Sequence, residues 1–299
     1  MSGGSMSVTT FAGWTRGFEA EIERRRAQGE PDWAAGASLP GPLARSLQRF
    51  QVGEDGDGAN LIRKADEAGD RDYAAAVRLF VAEEQNHARL LALLLGAGGM
   101  PTIAAHWSDS VFVRLRRLLG LRLELLVLMI AEVVALRYYR AVSEGAGDPL
   151  VGEVAARILA DERRHVPFHC LRLREALGVL PGALRVLVMT GWRLLLLGAT
   201  VVVAWDHGSA LRDLGLPRRR FIADVMRSSS DVVADILPKS PCGELPPGAG
   251  LGSWETTDAA EGAGVPAPDR AGGVPRRPAV GTAAAHGARQ SGRVRLSDR

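Results

Sequence analysis

The stretch Leu125-Leu126-Val127-Leu128-Met129-Ile130-Ala131-Glu132-Val133-Val134-Ala135-Leu136 holds one carboxylate among eleven apolar side chains. At helical spacing Leu125, Leu128, Ala135 and Tyr139 share a stripe with Glu132, so the carboxylate faces a core. An unpaired buried carboxylate is costly, or shifts its pKa until it is neutral. Something must compensate Glu132, and a divalent cation does so directly.

The sequence around it supplies partners. Glu162-Arg163-Arg164-His165 starts 30 residues after Glu132. Moving back 78 residues reproduces the pattern, with a lone Glu54 and then Glu84-Gln85-Asn86-His87 at the same offset of 30. Residues three apart share a helix face, so Glu84 points with His87 and Glu162 with His165. Val77, Phe80, Leu91 and Leu94 lie on the Glu84/His87 stripe. A single E-x-x-H is a weak signal. Two of them, each preceded at one offset by a core-facing Glu, are not well explained by surface Glu–His pairs on an ordinary bundle. Glu54, Glu84, His87, Glu132, Glu162 and His165 give four carboxylates and two imidazoles, a ligand set for two iron ions, with manganese the alternative. The lack of thiolates in the pattern argues against structural zinc.

The organisation expected is all-α. Residues 1–40 read as a leader with one amphipathic helix on Phe11, Trp14, Phe18 and Ile22. Residues 41–180 read as four long helices. The first, 42–68, carries Glu54 but is marred by Gly53, Gly56 and Gly58. The second starts at Asp70 or Asp72, and the third spans about 111–143. The fourth opens on Asp148 and Pro149 and is expected to kink at Pro167. Residues 181–240 hold an apolar fifth helix, 181–205, and short pieces at 219–227 and 230–237. Residues 241–299, rich in Pro, Gly, Ala and Arg, read as a disordered tail.

Composition excludes several classes. The net charge is +3 with a pI near 9.2, much of it tail arginine, so no nucleic-acid partner is expected. Cys170 and Cys242 make no disulfide framework, and the N-terminus has no signal-peptide pattern; a reducing cytoplasm is the expected location. The apolar runs 125–136 and 194–205 are shorter than the ~20 residues a spanning helix needs. They read as core helices, the fifth covered by the bundle or by a second subunit in a homodimer, although 186–205 comes close to a span if Arg193 is tolerated, so a membrane-associated fifth helix is the lesser alternative.

At the two motifs the chain resembles the ferritin-like di-iron carboxylate superfamily, over about residues 50–177. Glu83-Glu84-Gln85-Asn86-His87 and Asp161-Glu162-Arg163-Arg164-His165 are similar to the motif helices of acyl-carrier-protein desaturases. Gly53-Glu54 and the spacing to Glu84 look like the quinone-ring hydroxylases. The resemblance implies a ferritin-like four-helix bundle in which Glu84 and Glu162 bridge the metals and His87 and His165 bind one each. It also implies dioxygen chemistry. Leu91 stands where a ribonucleotide reductase radical subunit has tyrosine, which argues against a stored radical there.

The expected function is therefore an oxygen-dependent di-iron oxidoreductase acting on a hydrophobic small molecule, with an unspecified electron donor. A ferroxidase or peroxide-scavenging protein and a metal-stabilised scaffold without turnover are the alternatives. Around the six ligands, Asp55, Asp57 and Glu67 compete with Glu54. His169 is read as a polar contact at a kink or a further site residue, Asp161 as a histidine partner or a surface acid. Tyr138 and Tyr139 are read chiefly as packing, Cys170 as a buried hydrophobe, and His207 as a helix end.

Overall fold

The computed structural model describes residues 10–107 and 120–237. Among them are nine α-helices, one 3-10 turn and no strand, as expected of an all-α chain. The helices are α1 (Phe11–Gln28), α2 (Gly41–Glu54), α3 (Ala59–Glu67), α4 (Arg71–Ala97), α5 (Leu121–Gly145), α6 (Pro149–Gly178), α7 (Gly182–Asp206), α8 (Gly208–Asp213) and α9 (Arg218–Ile236). The 3-10 turn is Trp33–Ala35. Residues 111–119 of the expected third helix, and the expected tail, lie outside the described residues.

Capping sets where the long helices start. Asp70 accepts from the Tyr73 amide at 3.0 Å to open α4. Asp148 accepts from Leu150 and Val151 at 2.9 and 3.1 Å to open α6, with Pro149 at its first position. Each such cap is worth about 1 kcal/mol. Asp148 also accepts from the Ser38 amide at 2.7 Å, which ties the segment before α2 to α6 and, with the two helix amides, holds its carboxyl below the usual value.

Two expectations are corrected by packing. The expected helix 42–68 is two helices, broken between Glu54 and Ala59. Gly58 has φ +62°, and a Cβ there would collide with Val81 of α4. That combination of backbone angle and close approach demands glycine. The break leaves Glu54 in the last turn of α2. Helix α6 runs through Pro167 to Gly178, the expected end, because Phe168, His169, Cys170, Leu173 and Leu177 beyond the proline are all buried. Residues 218–236 form one helix rather than two pieces. The hydroxyls of Ser228 and Ser229 bond back to the carbonyls of Asp224 and Met226, and Phe221, Val225, Ser229, Val232 and Ile236 form one buried stripe.

The connection from Gly145 to Pro149 is short, so α5 and α6 return alongside each other and share the most extensive interface. Helix α4 packs on α2 and α6. A buried ion pair, Lys64 to Glu124 at 2.6 Å, with Asn60 also donating to Glu124, locks α3 to α5. Helix α1 is part of this core: Phe11 meets Tyr73 at 5.0 Å, and Trp14 and Phe18 meet Phe168 at 5.7 and 5.4 Å between ring centroids. Helix α7 is different. It rests on α9 and α5 through Met189, Trp192, Leu196, Thr200 and Ala204, and its remaining apolar side chains are largely open. Of the two covers expected for this helix, the bundle supplies one side only. Among the described residues α7 is the one helix long and apolar enough to cross a membrane.

Candidate metal centre

All six sequence-derived residues meet at one place. Glu54 comes from the end of α2, Glu84 and His87 from α4, Glu132 from α5, and Glu162 and His165 from α6. One donor atom each from Glu54, Glu84, His87 and Glu162 lies within 4.8 Å of the others, and so do donors from Glu84, Glu132, Glu162 and His165. Glu84 and Glu162 belong to both groups. His87 Nδ1 lies 3.4 Å from Glu162 Oε1 and 3.5 Å from Glu84 Oε1. His165 Nδ1 lies 3.1 Å from Glu84 Oε1 and 3.4 Å from Glu132 Oε2. Donors that share one ion at bond lengths of ~2.1 Å are spaced in this range.

The competitors for Glu54 fall away. Asp55, Asp57 and Glu67 are exposed, and Glu67 pairs with Arg63 at 2.5 Å, whereas Glu54 is 8% exposed. Glu84 is half-buried; Glu132, Glu162 and both histidines are buried.

Five of the converging atoms have no hydrogen-bond partner: Glu84 Oε1, His87 Nδ1, Glu132 Oε2, Glu162 Oε2 and His165 Nδ1. An unsatisfied buried polar atom costs about 1–3 kcal/mol, more when charged. Five turned on one another are a destabilised arrangement unless a cation or shared protons sit among them, and the carboxylate–imidazole donor set fits a metal.

The far side of each histidine is fully arranged. His87 Nε2 lies 3.1 Å from Asp161 Oδ2, and His165 Nε2 lies 3.1 Å from Glu83 Oε2. A carboxylate can only accept, so both rings carry a proton on Nε2 and turn Nδ1 to the cluster. The pairing crosses over: each motif's histidine is held by the acid just before the other motif's glutamate. Those acids are held in turn. Arg25 of α1 reaches Glu83 at 2.7 Å and Asp161 at 3.0 Å, and Arg164 reaches them at 3.0 and 2.7 Å. Asp161 is thus a histidine partner, not a surface acid. Glu83 and Arg25 were missed. The signal for Glu83 was present, since it is the counterpart of Asp161 at the same 78-residue offset. Nothing local marks Arg25 among its neighbours Arg24 and Arg26.

Proton affinities follow this geometry. Burial, with the charges of Glu84 and Glu162, pushes Glu54 and Glu132 well above the ordinary carboxylate value. Burial favours protonation of Glu162 too, but His165 and His87 hold it well below that value. Burial disfavours charge on His87 and His165, yet the carboxylates around them win and raise both. Without a cation the cluster therefore holds its charge in check with bound protons, which a metal would displace.

Other aromatic and polar groups line up behind Glu54. Tyr139 donates to Glu54 Oε1 at 2.7 Å. Tyr138 stacks on Phe50 at 3.6 Å, and its hydroxyl joins Ser46 and through it His207 Nδ1, at 2.6 and 2.7 Å. His207 sits between α7 and α8, the expected helix end. His169 is buried with neither ring nitrogen partnered, and its Nε2 is 3.8 Å from Glu132 Oε1. Burial, with the nearby His165 charge, lowers it to about 3. A cavity of about 420 Å³ reaches Glu54, Glu84, Glu132 and Glu162 from the α7 side, between Phe50, Leu128, Ala131, Ala199 and Val203.

No protein-family model matches the chain, and neither a curated protein nor a solved structure matches it. Fold and site define it as an all-α protein with a buried carboxylate–histidine cluster able to hold metal.

Proposed function

We propose that this chain is a ferritin-like di-iron carboxylate protein, an oxygen-dependent oxidoreductase acting on a hydrophobic small molecule. The observation that carries it is the pair of four-donor groups sharing Glu84 and Glu162. Glu54 and His87 would complete one iron site, and Glu132 and His165 the other. Manganese is accommodated by the same oxygen and nitrogen donors. When bound, such a metal pair supplies the redox capacity for dioxygen activation that no side chain here has.

The chain's own residues do the rest. Glu83 and Asp161 fix the histidine tautomers, so that Nδ1 is the free donor. Arg25 and Arg164 keep those two acids charged. Tyr139 orients Glu54 through its hydroxyl. The largely apolar cavity walls give an organic molecule room beside the carboxylates. This cavity favours the organic-substrate reading over a ferroxidase, for which a carboxylate-lined route for cations would be expected.

The test is metal analysis of purified protein after anaerobic ferrous loading, then air exposure with and without candidate apolar substrates. About two irons per chain and an oxidised organic product are expected. Mineral accumulation without organic product would favour the ferroxidase. Metal-free protein in excess iron and manganese would reject the class.

A further inference from the structure

We propose that α7 seats the protein on an anionic lipid bilayer, lying in the plane of its surface, and that the cavity takes an apolar-chain substrate sideways from that bilayer. The docking half stands on α7 itself; the substrate class rests on the oxidoreductase reading.

The exposed face of α7 is continuous. Leu184, Leu187, Leu194, Leu197, Val201 and Trp205 are 41, 67, 66, 37, 38 and 69% exposed. At 3.6 residues per turn the open positions cover roughly 200° of the helix, over about 30 Å of its length. No charged residue lies within that arc: Arg193 and Asp206 sit at its half-buried edges, and Arg185 on the packed side. Soluble monomers rarely leave an apolar surface of this extent open. The opposite side is packed along its length on α9 and α5, so lipid cannot surround the helix. That geometry suits a helix lying on a membrane, not one crossing it.

One end of the face carries the matching charge. Trp205 has the Arg218 guanidinium 4.9 Å from its ring centroid, and Arg212, Arg219 and Arg220 follow along the chain, with Asp206, paired to Arg49, and Asp213 as the acids between. Arg212 and Arg219 are exposed and pair with no acid among the described residues. A tryptophan flanked by arginines is the chemistry of the boundary between acyl chains and anionic headgroups. The cavity opens at the edge of the same face. Its rim carries Trp107, Leu195 and Val202, which are 58, 59 and 42% exposed. A second copy packed along a two-helix seam would cover a narrow stripe and leave those rim residues and Val186 open. A bilayer covers the whole arc and puts the cavity mouth in the acyl-chain layer.

The experiment is flotation of the full chain with phosphatidylcholine vesicles, with and without phosphatidylglycerol, in metal-loaded and metal-free form. Flotation with the anionic vesicles is expected in both forms. Leu187→Glu with Leu194→Glu should reduce it at least tenfold, and Arg212→Ser with Arg219→Ser should remove the preference for phosphatidylglycerol. Wild-type protein that stays with the lipid-free fraction would overturn docking. So would a dimer that the double glutamate variant makes monomeric with no vesicle binding in either. The substrate half is read by binding of the fluorescent fatty acid cis-parinaric acid. Ala199→Leu and Val202→Trp should weaken it at least tenfold while flotation is kept, and unchanged binding would refute the route. Because flotation does not depend on metal, its failure is distinct from failure of the di-iron reading, which metal analysis reports.

Discussion

Asp161→Asn tests how the histidines are armed. Asp161 Oδ1 accepts from Arg25 at 3.0 Å and from Arg164 at 2.7 Å, while Oδ2 faces His87 Nε2 at 3.1 Å. In the variant the two guanidinium groups claim the amide oxygen, because they can only donate. The NH2 group then faces His87 Nε2, which must become an acceptor and move its proton to Nδ1. The donor meant for a metal is blocked. Loss of a histidine's outer partner costs about 10–100-fold in metal affinity, and forcing the wrong tautomer places this variant near the upper end. A hundredfold loss is about 2.7 kcal/mol of binding. The fold should survive. Arg25 and Arg164 keep Glu83 at 2.7 and 3.0 Å, so neither cation is stranded, and the metal-free protein should lose only about 1–3 kcal/mol. Anaerobic calorimetry with ferrous or manganous ion reads the affinity, and thermal melting of the metal-free form reads the stability. Glu83→Gln should act alike through His165. Wild-type metal affinity in Asp161→Asn would refute the tautomer reasoning.

The shared ligands make a second prediction: Glu162→Ala should abolish loading of both metals, whereas Glu54→Ala should leave about one per chain by elemental analysis, and equal losses would count against a shared Glu162. His169→Leu should raise the stability of the metal-free protein by about 1 kcal/mol, because it removes two buried nitrogens without partners; a lower melting midpoint would contradict this. Metal affinity should climb as pH rises above 6.5, the ordinary histidine value, since His87, His165, Glu54 and Glu132 all hold protons more tightly than usual and must release them. The same raised groups stabilise the metal-free fold at low pH and lose that contribution as pH rises through their folded values. The depressed Glu162 and Asp161 contribute above their ordinary values of 4.5 and 3.8 and lose it on acidification. Stability of the metal-free protein should therefore peak between these limits and fall above them, with metal restoring it; a flat profile with pH-independent binding would refute the coupling.

The helix signals and the six ligands were legible in the sequence because they are local or periodic. Asp70, Asp148 and Pro149 act on the backbone beside them, and the 78-residue repetition of Glu, E-x-x-H and apolar stripe needs no coordinates to be seen. The break after Glu54 was only half legible. Its glycines were visible, but Gly58 is required by the approach of Val81, which belongs to another helix. Arg25 could not be singled out from Arg24 and Arg26, because its role depends on α1 lying where two buried acids converge.

Helix α7 marks the same boundary most clearly. Its composition announces an apolar helix that the bundle or a second subunit must cover, but not which side meets which. What tertiary structure decided is that only one side of α7 finds partners on α9 and α5. Local order and periodicity are written in neighbouring residues. Which face meets which, and what is left open, depends on how whole helices divide the available apolar surface among themselves.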